Sequence, residues 1–61
     1  MMQPIDKQTH MVVDLCDYSE IKDVESADPE TNQIVVRENT YAGEVRKTVH
    51  LPLGFKILRR R

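Results

Sequence analysis

Gln33-Ile34-Val35-Val36-Arg37-Glu38-Asn39-Thr40-Tyr41-Ala42-Gly43-Glu44-Val45-Arg46-Lys47-Thr48-Val49-His50-Leu51 is the stretch that decides the fold class. Its first part, Gln33 to Glu38, is a short β-branched run bounded by polar turn residues. In its second part, Val45, Val49 and Leu51 fall on one face of an extended segment, with Lys47 the only polar residue among them. Arg46, Thr48 and His50 fall on the other face, and this near-alternation is the mark of a half-buried strand. Between the two runs, Asn39 and Gly43 are residue types that accept the positive φ a tight turn needs. The stretch therefore predicts an antiparallel hairpin.

Working outward, the same reasoning extends to both ends. Ser26 to Asn32 reads as a turn, with Pro29 fixing φ and Asp28 before it able to accept a backbone N–H. The strand feeding that turn is predicted over Ile21 to Glu25, and another over His10 to Cys16. Tyr18, Ile21 and Val24 have helical spacing, so a short helical turn near residues 17–22 competes with strand there. Downstream, Pro52-Leu53-Gly54 breaks the pattern and Phe55 to Leu58 forms a last short strand. Fifteen of the 61 residues are Val, Ile or Thr and only two are Ala, a balance that favours strands over helices. The expected fold is all-β or β-rich: a small antiparallel meander sheet or small barrel of four to five short strands. It forms a single domain over residues 1–61, with an N-terminal arm at 1–9 and a basic C-terminal tail at 59–61.

A chain of 61 residues buries only about 60% of the surface its unfolded form exposes, so its core is thin. Proteins of this size usually add disulfides, a metal or a partner chain. Cys16 is the only cysteine, which rules out an internal disulfide and points to a reducing compartment. His10, His50 and Cys16 contain no closely spaced ligand pair for zinc. Support from a protein partner or from self-association is thus the expectation, and no cofactor or small-molecule substrate is expected. There is no apolar stretch of signal-peptide or membrane-span length, so the expected location is the cytoplasm, or a virion for a phage product.

Catalytic chemistry finds little purchase. Asp14, Asp17 and Glu20 form the densest acidic cluster, but nothing sets two of them in contrasting environments. Asp28-Pro29-Glu30-Thr31-Asn32 begins in the register of a calcium loop and then lacks its glycine and its closing glutamate. Asp14 and Asp17 put negative charge beside Cys16, which disfavours a reactive thiolate, so Cys16 reads as a buried structural residue. Gly43 and Gly54 are the only glycines and form no phosphate-binding motif. The chain is expected not to be an enzyme.

The charge distribution is more informative. Residues 1–31 carry Asp6, Asp14, Asp17, Glu20, Asp23, Glu25, Asp28 and Glu30 against Lys7 and Lys22, a net of −6. Residues 32–61 carry Arg37, Arg46, Lys47, Lys56, Arg59, Arg60 and Arg61 against Glu38 and Glu44, a net of +5. One reading pairs acidic and basic strands as neighbours in the sheet, where opposite charges set the register. A second makes two poles that meet another protein or another copy. A third uses Arg46, Lys47, Lys56, Arg59, Arg60 and Arg61 to neutralise phosphates of a nucleic acid. Against the third, only Tyr18, Tyr41 and Phe55 are available for base stacking, and the isoelectric point is near 6.0.

The primary expectation is a non-enzymatic protein-interaction module, a small accessory or structural subunit of a larger assembly. The alternative is a nucleic-acid-associated protein that uses the basic C-terminal half. Chains of this construction are common among phage and mobile-element products, as virion parts or inhibitors of host proteins, though no residue here singles out that source.

Overall fold

The computed structural model describes all residues from Met1 to Arg61. Seven strands follow one another: β1 (Gln3–Pro4), β2 (His10–Asp14), β3 (Glu20–Ile21), β4 (Val24–Asp28), β5 (Gln33–Thr40), β6 (Gly43–His50) and β7 (Phe55–Arg59). They form two antiparallel sheets, one in the order β1-β4-β5-β6 and the other in the order β3-β2-β7. The β-rich, antiparallel expectation holds. The strand count exceeds the four to five expected, because two-residue strands at the sheet margins leave no periodic signature.

The hairpin is β5 and β6, paired without a register shift from Gln33↔His50 to Thr40↔Gly43. Tyr41 and Ala42 make the connection, and neither has positive φ; Gly43, at φ +105°, completes the reversal. Asn39 lies within β5 opposite Glu44 rather than in the turn. Only the lower half of β6 meets the core. Val49 and Leu51 are half-buried, whereas Val45, on the same face, is 40% exposed because the hairpin overhangs the second sheet.

The expected strand at Ile21 to Glu25 is broken in two. Asp23 sits at φ 61°, a left-handed conformation that a short polar side chain tolerates. This corner hands the chain from one sheet to the other, with β3 on one side of it and β4 on the other. The expected strand from His10 ends at Asp14, and no helix forms at 17–22. A single helix-like bond closes there, from the Tyr18 N–H to the Asp14 carbonyl at 2.7 Å. Propagation stops at once because Tyr18 adopts φ 59°. Asp14 and Asp17 instead accept the backbone N–H two residues on, from Cys16 at 2.8 Å and Ser19 at 3.0 Å. Asp6 and Asp28 do the same for Gln8 and Glu30, both at 3.0 Å. Much of the acidic half is therefore turn-building chemistry. Cys16, expected in the core, is exposed on one of these turns.

The expected N-terminal arm is in part a strand: Gln3 and Pro4 pair with Ala27 and Ser26, and the Met1 ammonium donates to Asp28 at 3.0 Å. The expected C-terminal tail is likewise held. Arg59 belongs to β7, and the Arg60 N–H donates to the Thr9 carbonyl at 2.8 Å.

Between the sheets lies a small core of Val12, Val24, Ala27 and Ile34, ringed by Ile5, Ile21, Val36, Val49, Leu51, Phe55 and Ile57. Only six of 61 residues are buried, so the thin core expected from chain length is what the fold contains. Asn32 and Gly54 knit the two sheets at one end. Asn32 holds φ 61°, accepts the Leu51 N–H on its carbonyl at 3.1 Å, and donates its side-chain amide to the Leu51 carbonyl.

Candidate functional site

Two sheets have four edges, and three of them are blunted. β1 and β3 are two residues long, and β1 ends in Pro4, which has no N–H to offer. β7 is five residues long and carries the exposed Lys56 and Arg59, a common protection against edge pairing. β6 is different. It is an eight-residue edge strand with no proline and no bulge, every residue except Val49 is exposed, and its charges, Glu44, Arg46 and Lys47, are of both signs where those of β7 are all positive.

The phase of its hydrogen bonds follows from one contact. The Leu51 N–H donates to the Asn32 carbonyl at 3.1 Å, in line with the register Gln33↔His50. In an antiparallel pair, bonded and non-bonded positions alternate. Gly43, Val45, Lys47 and Val49 therefore direct their N–H and C=O groups at β5. Glu44, Arg46, Thr48 and His50 direct theirs out of the sheet edge, where nothing in the chain meets them.

Beside this edge, on the core-facing side, is a shallow cleft of about 370 Å³. Ile21, Ile34, Val36, Val49 and Leu51 form its apolar floor, and Asp14, Lys22, Glu38 and Lys47 are among its rim. It exists because the long hairpin overhangs the shorter second sheet. Val45 continues the apolar line beyond the cleft.

The other face of the hairpin is polar and ion-paired. Arg37 and Arg46 stand directly opposite each other across β5 and β6, which brings two like charges together. Each finds an acid: Arg46 bonds Glu25 at 2.6 Å, and Arg37 bonds Glu44 at 2.9 Å. Arg46 holds the Glu25 carboxyl below the usual carboxylate range, and its own pKa is raised in turn. At the other end of the molecule, Arg60 grips Glu20 with two bonds, at 2.9 and 3.0 Å, and lowers its pKa by the same cause. Asp17 is also lowered, by the hydroxyl and N–H of Ser19. The Glu25–Arg46 and Glu20–Arg60 pairs join the acidic half of the chain to the basic half, so the two poles partly cancel within the fold.

The six basic residues singled out from the sequence are therefore divided. Arg59, Arg60 and Arg61 line one surface depression with Met11 and Leu58, and Lys56 lies on the same strand. Arg46 and Lys47 lie on β6, in the other sheet, facing opposite ways. Arg46 and Arg60 are occupied by ion pairs; Lys47, Lys56, Arg59 and Arg61 make none within the chain. His10 pairs with Arg59 and His50 with Gln33, so the histidines are not brought together. No three His, Cys, Asp or Glu side chains converge as a metal site, and no helix is long and apolar enough to cross a membrane. The open edge itself has no signature in the residues, because which strand ends a sheet depends on long-range order. Neither a family model, nor a curated protein, nor a solved structure matches the chain.

Proposed function

We propose that this protein is a non-enzymatic interaction module, a small accessory or structural subunit, that binds a protein partner along β6. The observation that carries this reading is the eight-residue open edge with four outward-facing backbone pairs. Strand addition to such an edge takes its affinity from main-chain bonds and its specificity from the side chains on either face. The apolar cleft beside the edge supplies one such pocket, and the row of ion pairs on the opposite face supplies the polar counterpart. A sheet with so little buried surface gains from the added strand as well as offering a place for it.

The test is Thr48→Pro. The Thr48 N–H points outward, so proline removes a bond to the partner and none to β5. The variant should keep the far-ultraviolet circular dichroism of the parent while its affinity for the purified partner falls roughly tenfold or more. Unchanged affinity would show that the partner does not pair along the Thr48 end of β6. Lys56, Arg59 and Arg61 make no ion pair within the chain, which favours a second reading, contact with nucleic-acid phosphates. Binding of that kind would weaken steeply with salt and would ignore Thr48→Pro.

A further inference from the structure

We propose that the partner on β6 is a second copy of this chain, paired antiparallel about a two-fold axis at Val45 to make one continuous eight-stranded sheet. This rests on the reading of β6 as the working edge and adds the identity and register of what it meets.

A two-fold axis perpendicular to the sheet keeps each face on its own side, so a residue can oppose only residues of its own face. Three registers then bring outward backbone groups of β6 into bonding phase. They are centred on Val45, on Arg46 or on Lys47, overlapping over residues 43–47, 43–49 and 44–50 respectively. Centring on Arg46 sets that guanidinium against itself, beside an Arg37 that already faces it across β5. Centring on Lys47 sets two ammonium groups against each other on the core-facing side. Like charges directly opposite destabilise a strand pair.

Centring on Val45 avoids both conflicts. Val45 meets Val45 of the second copy, which covers a β-branched side chain that is 40% exposed in the single chain. Glu44 meets Arg46 of the second copy, and this happens twice. On the polar face the charges would then run Glu25, Arg46, Glu44 of the second copy, Arg37 of the second copy, alternating in sign. Both ends of that row are ion pairs already present in each chain. Lys47 falls opposite Gly43, whose missing side chain leaves room for it: a Cβ built at Gly43 meets nothing within 4 Å. Charges on an edge strand ordinarily discourage pairing. Here they discourage two registers and leave the third.

The register is read by single cysteines at positions 45, 46 and 47, each in a Cys16→Ser background because Cys16 is exposed. All three positions are exposed, so the substitutions leave the core intact. At the axis, the two Cα atoms stand about 4.5 Å apart, within disulfide reach. One residue from the axis the two copies of a position are roughly 8 Å apart, beyond it. Mild oxidation of Val45→Cys should convert most of the chain to a covalent dimer, with Arg46→Cys and Lys47→Cys largely unlinked. Light scattering on the parent should give twice the 7.1 kDa chain mass. Preferential linking at 46 or 47, or at none of the three, overturns the register. A parent that stays monomeric up to millimolar concentration overturns self-pairing. If the parent is monomeric and Thr48→Pro still abolishes binding to another protein, the edge remains the working surface and only its occupant has been misassigned.

Discussion

Ile34→Ala is expected to leave the chain unfolded at room temperature. Ile34 has no exposed surface and is, with Val12, the largest side chain buried completely. It lies between Ala27 on β4 and Val49 on β6, so it is the point at which three strands of the larger sheet share one core contact. Truncating a buried isoleucine to alanine costs about 2–5 kcal/mol, through lost transfer energy and the cavity left behind. A domain of this size has only about 3–5 kcal/mol from its core to lose. The central cluster has only four residues, so the truncation removes a large part of it. Circular dichroism should show loss of the strand signal and of any cooperative melt. Ile34→Val, which removes one methylene at about 1 kcal/mol, should still fold with a lower midpoint. A cooperative Ile34→Ala melt close to that of the parent would mean that the core lies elsewhere.

The second large effect is expected at Gly54. This residue is buried at φ +96°, a conformation that side chains rarely adopt. Its N–H donates to the Leu51 carbonyl at 3.1 Å, and its carbonyl accepts the Leu15 N–H at 3.2 Å. It thus fixes the corner from which β7 departs. An added Cβ would sit 3.4 Å from both the Asn32 side chain and the Leu15 methyl, so space alone nearly permits it. The backbone conformation does not, and Gly54→Ala should cost about 1–2 kcal/mol. That is a large share of the stability of so small a domain, and urea titration should show a clearly lower midpoint with an unchanged slope. Gly43→Ala, with open space around it, isolates the conformational part. If both variants match the parent, positive φ at these corners carries no weight in the fold.

The hairpin was legible because its information is local. Ile34-Val35-Val36 is β-branched, Val45 to Leu51 alternates, and Gly43 marks the reversal. β7 was legible for the same reason, since Pro52 and Gly54 set it apart. The break at Asp23 was hidden because aspartate only occasionally takes positive φ, and nothing in Ile21 to Glu25 separates one strand from two. Cys16 reads as a structural core residue because the acids beside it disfavour a reactive thiolate, whereas the carboxylate of Asp14 captures its N–H and turns the chain outward. The charge split was visible in full, but its meaning was not. Arg46 and Arg60 look like any other bases in the sequence, and only the fold shows that Glu25 and Glu20 occupy them. The open edge lay furthest from view. Val45 and Lys47 read as members of a half-buried strand until sheet order and hairpin overhang expose them.

Residue-resolved amide hydrogen exchange across β6 tests the central claim most directly. In dilute solution the amides of Val45, Lys47 and Val49 should be protected by β5, and those of Glu44, Arg46, Thr48 and His50 should exchange freely. On self-association at higher concentration, Glu44 and Arg46 should gain protection together, while Thr48, which falls opposite the turn residue Ala42 in the Val45 register, should not. Association that leaves the Glu44 and Arg46 amides exchanging freely, with new protection on β7 or elsewhere, would contradict the assignment of β6 as the edge through which this protein works.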